Sequence, residues 1–266
     1  MPHEQVVQQP QFVHYIPVAT TLLSAIFCGV LIRRRWKKGH GAHLVWWSLG
    51  VGAYGLGTAL EAAITVFGNT PLLTKSWYVA GALLGGYPLA QGTVYLLLKR
   101  RTANILSILT VPLILLLSVL VFMSPIRLEE LEAHKPGGAA LTWQWIRPLT
   151  PLINTYAALF LIGGAILSAV RFSRKTATRE RAIGNAFIAF GALLPGIGGG
   201  LAKAGIVEAL YVGEFVGIIF IWIGYGRCVR GPVEQRELGE GKAGRANWLG
   251  LHEHSRTAIV TPERVT

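Results

Sequence analysis

No aspartate occurs among the 266 residues; all 13 acidic side chains are glutamates. Mechanisms that need an aspartate as triad orienter, phosphoryl acceptor or paired acid are thereby excluded. Cysteine is nearly as scarce. Cys28 lies within an apolar run and Cys228 at the far end of another, which suits neither a structural disulfide nor metal spacing. Charge is thin at 14% of residues, against roughly 25% in an ordinary soluble domain. Hydrophobic residues make up 52%. Contact with lipid accounts for both figures, because a charge at the centre of a spanning helix costs about 2.5–3.5 kcal/mol. The net charge of +12 would suggest nucleic acid in a soluble chain. Here the basic residues cluster beside hydrophobic segments, as membrane topology requires, and no nucleic-acid role is expected.

Seven apolar stretches approach the roughly 20 residues that cross a bilayer. They run over 12–32, 43–67, 76–98, 104–123, 149–170, 184–202 and 206–225. The first is not read as a cleaved signal peptide, since no Lys or Arg precedes it and no small-residue cleavage pattern follows. The connecting segments alternate in charge. RRRWKK (33–38), KRR (99–101) and RFSRKTATRER (171–181) hold 13 basic residues, whereas the opposite side holds only Lys75, Arg127, Lys135, Arg147 and Lys203. The positive-inside rule then puts the N-terminus outside and the chain from Arg227 in the cytoplasm. The expected fold is all-α: a polytopic integral membrane protein with seven transmembrane helices, in a bacterial inner membrane.

Three regions follow. Residues 1–11 form an external segment, 12–230 the bundle, and 231–266 a polar cytoplasmic tail. The external loop 124–147 carries RLEELEAHK, readable as a short surface helix or a solvated loop, and then WQW, whose Trp143 and Trp145 suit an interfacial anchor. Trp46 and Trp47 are expected at the inner interface.

Helices in lipid associate through close packing, which small residues permit. Ser48, Gly52, Gly55 and Ala59 make one smooth face of the second span; Gly81, Gly85, Gly86 and Gly92 lie in the third. The fifth has Gly163 and Gly164, and the sixth holds PGIGGG, with Gly196 and Gly200 taken as packing positions. That run is expected to loosen or break its helix, because Gly and Pro disfavour a helix interior. Tight packing and a hinge or binding site are both open to it. The third and sixth spans share GALL before their Gly and Pro residues, which makes an inverted repeat of the transporter kind conceivable.

The stretch GIGGGLAKAGIVEALYVGEF (196–215) admits a lysine and two glutamates into apolar sequence. Lys203 falls at the outer end of the sixth span, Glu208 near the outer surface of the seventh, and Glu214 deeper. Glu61 lies in the outer half of the second span, with Asn154, Tyr156, His14 and Tyr15 at similar depth. A buried carboxylate demands a partner or a proton. Glu61, Lys203, Glu208, Glu214, Asn154 and His14 are therefore the candidate outer polar site, with Lys203 available to either neighbouring glutamate. Three uses fit: local satisfaction within the bundle, a pocket for a lipid, quinone or pigment, and an ion route. The last is weakened because Gln91 is the one obvious polar side chain in the inner half of the third span.

No nucleophile–base pair, phosphate loop or metal constellation is present, so no catalytic residue or metal ligand is assigned and the chain is read as a non-enzyme. His252 and His254 lack further ligands for a metal. His14 and His43 lie at opposite faces and cannot share a haem iron. No lysine stands mid-way along the last span for a Schiff-base pigment.

The sequence WWSLGVGAYGLGTALEA (46–62), a short external loop and an aromatic-rich third span together resemble the N-terminal seven-helix sensor region of bacterial histidine kinases. The resemblance covers the second and third helices. It implies an outward-facing sensory pocket that signals to the cytoplasm. Only about forty residues follow Tyr225, fewer than a kinase or cyclase output domain needs. The leading expectation is thus a non-catalytic, seven-helix subunit of a larger membrane assembly, possible in an energy-transducing one, with other subunits docking on its helix faces and on the tail 231–266. The alternative is a small-molecule or lipid sensor working through a separate cytoplasmic partner.

Overall fold

The computed structural model describes residues 12–174 and 176–230. The segment 1–11 and the tail 231–266, with His252 and His254, lie outside the described residues. Helix dominates what is described. A 3-10 turn at Phe12–Tyr15 leads into α1 (Ile16–Lys38), followed by α2 (Ala42–Phe67). Then come α3 (Pro71–Trp77), α4 (Tyr87–Leu97), α5 (Arg100–Met123), α6 (Leu149–Ala157), α7 (Gly164–Ser173), α8 (Arg179–Lys203) and α9 (Val207–Arg230). The one extended pairing among the described residues is an isolated antiparallel bridge between Ile126 and Leu141.

Six helical segments are long and apolar enough to cross a membrane: Phe12–Lys38, Ala42–Phe67, Arg100–Met123, Gln144–Ser173, Arg179–Lys203 and Val207–Arg230. The chain is therefore a multi-pass helical membrane protein. Residues 76–98, expected as one continuous span, are interrupted. Helix α3 starts behind the Thr70 cap, whose hydroxyl accepts from Leu73 N–H, with Pro71 in the first turn. It passes into a π-helical turn over Tyr78–Leu83, marked by Leu84 N–H donating to the Val79 carbonyl five residues back. Gly85 and Gly86 then turn the chain before Pro88 sets the start of α4. Residues 158–163 form a second π-helical turn, joining α6 to α7.

The break expected at PGIGGG is absent. Helix α8 runs unbroken through Pro195 and the glycines to Lys203. Its support comes from α9. Cβ atoms built on Gly184 and Gly191 would lie 2.6 Å from the carbonyl oxygens of Gly224 and Gly217, and one on Gly198 would lie 2.6 Å from that of Ala209. These three glycines recur every seven residues, the period that keeps one seam on a partner. Pro195 removes the N–H that the Gly191 carbonyl would have bonded. That carbonyl instead faces Gly217, where an added Cβ would sit 2.7 Å away, the close approach of a Cα–H···O contact. The α8–α9 turn closes with Ile206 N–H on the Leu201 carbonyl, Gly205 N–H on that of Ala202, and Gly205 at φ 96°.

The packing positions expected from small residues divide accordingly. Ser48, Gly52 and Gly55 do form the face of α2 that meets α1: Cys28 Sγ–H donates to the Ser48 carbonyl at 3.3 Å, Gly52 lies opposite Cys28, and Gly55 opposite Ser24. Ala59 is half-buried one turn on. Gly81 receives Gly57 of α2, where a Cβ would lie 3.1 Å from the Gly81 Cα, while Gly85 closes on the Gly81 carbonyl within its own turn. Gly196 and Gly200 are corrected. A Cβ at either would meet nothing within 4 Å, because at 3.6 residues per turn both point away from the 184–191–198 seam.

Contacts divide the bundle into two ends. At one, Arg34 lies over the Tyr225 ring, Arg227 pairs with Glu180 at 3.1 Å, and Trp46 stacks on Tyr95. Trp47 packs edge-on against Tyr225 and His43, so this tryptophan pair is half-buried in the bundle end. At the other end lies the loop 124–147, which is neither a surface helix nor freely solvated. It carries short 3-10 turns, buries Leu141 and Ile146 completely, and folds over the bundle. Asn69 bonds the Ala133, Glu132 and Lys135 carbonyls, Lys75 reaches the Phe122 carbonyl, and His134 meets that of Thr65. Trp143 and Trp145 stack at its base.

Candidate functional site

The buried stripe of α9 passes through Val207, Tyr211, Ile218, Ile221 and Tyr225, spaced at three, four and seven residues. Glu214 falls on that same stripe, between Tyr211 and Ile218. On α2, Tyr54, Glu61 and Thr65 share the face turned toward it, spaced at seven and four. The acids of these two stripes are thus brought together by helix periodicity alone.

Glu61 is 1% exposed. Its Oε1 accepts the Trp77 indole N–H at 2.8 Å, and the carboxyl group of Glu214 faces it from α9. Ionised carboxylates only accept, so any hydrogen bond between the two groups requires a proton on one of them. The Glu61 and Glu214 Oε2 atoms are buried and meet no hydrogen-bond partner among the described residues. The Tyr211 hydroxyl, fully buried beside both acids, and the Thr65 hydroxyl oxygen are likewise without one. Tyr54 O–H donates to the Glu214 carbonyl at 2.8 Å and ties α2 to α9 at that level. The π-helical turn after Trp77 and the absence of side chains at Gly57 and Gly81 let the third segment come close enough for the indole to reach Glu61.

A second tier lies nearer the folded loop. Glu208 Oε1 stands 3.5 Å from His14 Nε2 and 3.5 Å from Lys135 Nζ, and the His14 ring packs edge-on against Tyr211 at 5.9 Å. Six residues separate Glu208 from Glu214, about 9 Å along the helix at 1.5 Å per residue. Tyr211 links the tiers. One acid of α9 therefore faces a lysine and a histidine, and the other faces an acid and hydroxyls.

The other two expected members stand apart. Lys203 is exposed at the end of α8, and both ion pairs of Glu208 go to Lys135 and His14 instead. Asn154 is exposed on α6, on the side away from the buried Ile153 and Ala157. Gln91, noted as an isolated inner polar group, is fully buried and satisfied: its amide donates to Ser107 Oγ and the Ala103 carbonyl and accepts from Tyr156 O–H. It is a structural node joining α4, α5 and α6.

Sequence reasoning missed Tyr54, Trp77, Tyr211, Thr65 and Lys135. Tyr54 and Tyr211 carried a signal, since each lies seven or three residues before an acid on the same helix face. Lys135 carried none, because its position depends on how a long loop folds. No group of three or more potential metal ligands is found among the described residues. No known protein family, no curated protein and no solved structure matches the chain.

Proposed function

We propose that the protein is a non-catalytic sensor: a seven-span bundle in a bacterial inner membrane, N-terminus outside, that receives a small molecule from the outer face at the Glu61–Glu214 pair. The observation that carries this is the facing pair of acids itself: among the described residues neither makes an ion pair, and the buried Oε2 atoms of both and the Tyr211 hydroxyl have no hydrogen-bond partner. Ionisable groups inside a membrane bundle are costly, and their usual place is a functional site. Two carboxyl groups and a phenol, walled by Trp77 and Tyr54, favour a ligand that brings donor hydrogens, above all an ammonium group, which carboxylates and aromatic faces both attract.

In this reading the ligand replaces the proton shared by the two acids and changes how α9 seats on α2. Helix α9 continues from Glu208 to Arg230, and its glycine seam with α8 moves the two helices as one body. At the inner end the shift reaches the nest of Phe27, Trp222, Tyr225 and Arg34, where a cytoplasmic partner reads it. The test uses detergent-purified protein and small alkylammonium compounds as probes, followed by thermal shift. The parent is expected to gain stability with probe concentration. Glu61→Gln and Glu214→Gln should fold normally and lose the response. Equal responses in all three proteins would overturn the reading.

A second reading, as a subunit of a larger membrane assembly, is favoured by the face of α8 where Gly196, Gly199 and Gly200 have nothing within 4 Å. Small residues are the usual surface of helix–helix contact in lipid. The tail expected to dock on a partner lies outside the described residues.

A further inference from the structure

A groove of about 460 Å³ runs between α1 and α2 on the side away from the acid pair. Its walls are apolar side chains, including Ile32, Val45, Leu49 and Leu56, and its floor is Gly52 beside Cys28. At Gly52 the two helices close the floor, since a Cβ there would stand in van der Waals contact, 3.6 Å from the Cys28 sulfur. From Val45 to Leu56 the wall extends about 16 Å at 1.5 Å per residue, long enough for most of an acyl chain. Ile32, Leu49 and Leu56 are all exposed in the isolated chain, so the groove opens toward lipid.

Its end is of a different character. Arg35 and Trp36 close it. The Arg35 Nε is buried with no hydrogen-bond partner among the described residues. Arg33, Arg34, Lys37 and Lys38 flank Arg35 along this end of α1, and none of the five makes an ion pair with a carboxylate among the described residues. A buried guanidinium Nε donor at the mouth of an acyl-sized groove, with four further cations in the same run of α1, calls for a phosphate on an apolar tail.

We propose that this groove is a binding site for one anionic glycerophospholipid, its acyl chain along Gly52 and its phosphate on Arg35. Net negative charge in the lipid is favoured over a zwitterion because the surrounding cations lack local counter-charges, and basic pockets at the ends of membrane helices recognise anionic headgroups. Trp36, 79% exposed, then lies at the headgroup level where its amphipathic ring belongs. The site stands independently of the sensor reading, because it uses neither the acid pair nor the direction of insertion.

Native mass measurement on protein stripped in mild detergent, then titrated with phosphatidylglycerol or phosphatidylcholine, tests it. The parent should hold one phosphatidylglycerol at least ten-fold more tightly than phosphatidylcholine, and millimolar inorganic phosphate should not displace it. Arg35→Gln, at a helix end outside the bundle core, should bring phosphatidylglycerol down to the phosphatidylcholine level. Gly52→Leu should lower retention of both lipids by filling the floor. Equal retention of the two lipids by the parent, unchanged preference in Arg35→Gln, or tight binding of a headless fatty chain or detergent would overturn the proposal.

Discussion

Two glycines five residues apart in α8 should respond to the same substitution with opposite sign. In Gly191→Ala the new methyl would lie 2.6 Å from the Gly217 carbonyl oxygen, 2.9 Å from the Ile221 nitrogen and 2.9 Å from the Phe220 Cβ. Two of these are backbone atoms of α9, which cannot swing aside, so the helices must separate by several tenths of an ångström. Overpacking of this kind costs about 1–3 kcal/mol. In Gly196→Ala the methyl meets nothing within 4 Å, and the gain is the ordinary helix advantage of Ala over Gly, about 0.5–1 kcal/mol. At roughly 2–4 °C per kcal/mol for a chain of this size, the first variant should melt about 2–12 °C below the parent and the second slightly above it. Fluorescence-detected size exclusion after graded heating reads both from small amounts of detergent extract. The double variant Gly191→Ala/Gly217→Ala should be worse than either alone, since the added methyls crowd the same seam from both helices. If Gly191→Ala is as stable as Gly196→Ala, the α8–α9 seam is not this tight and the account of the unbroken helix through Pro195 fails with it.

The remaining expectations concern the acids and the loop. Glu61→Leu strands the Trp77 indole N–H and the Glu214 carboxyl, a loss of about 1–3 kcal/mol for each buried group left unmade, whereas Glu61→Gln keeps an acceptor for Trp77 and a donor for Glu214 and should stay close to the parent; equal melting temperatures for the two variants would count against the observed pair. Lys135→Ala removes a partly exposed ion pair worth about 0–1 kcal/mol, so global stability should hardly change. Amide exchange over 130–138 should nevertheless rise, because Lys135 is the loop's ionic link to α9, while Lys203→Ala should alter neither measurement. Matching exchange in the two lysine variants would remove the assignment of Lys135 as the anchor.

Six of the seven expected spans were legible because lipid makes one strong demand, a long apolar run, and positive charge marks the ends of such runs. Local breaks were not. GGYP and PGIGGG contain the same disfavoured residues, yet the first interrupts its helix and the second does not. The outcome depends on whether a neighbour's backbone fits the smooth surface, and the seven-residue repeat of Gly184, Gly191 and Gly198 was the readable sign that one did. Depth along the helices brought Glu61, Glu208, Glu214 and His14 into one region, and the structure sets them in two tiers, His14 with Glu208 and Glu61 facing Glu214. Depth says nothing about rotation, which is why Lys203 and Asn154, at the same level, lie on exposed faces instead.

The two acids of α9 sharpen what the site does. Glu208 stands 3.5 Å from both a lysine and a histidine, an arrangement that satisfies a partly exposed carboxylate and asks for nothing more. Glu214 lies under it on the stripe that packs against α2, where a leucine would fill the space with no desolvation cost. Across from it stands a second acid, and the hydroxyl of Tyr211, on the same stripe, has no hydrogen-bond partner among the described residues. A purely structural polar contact would be complete in itself, as the Gln91 node is, with both its donors and its acceptor engaged. The Glu61–Glu214–Tyr211 group leaves three buried oxygen atoms without a partner among the described residues, which is the arrangement the proposed ligand, by bringing donor hydrogens, would complete.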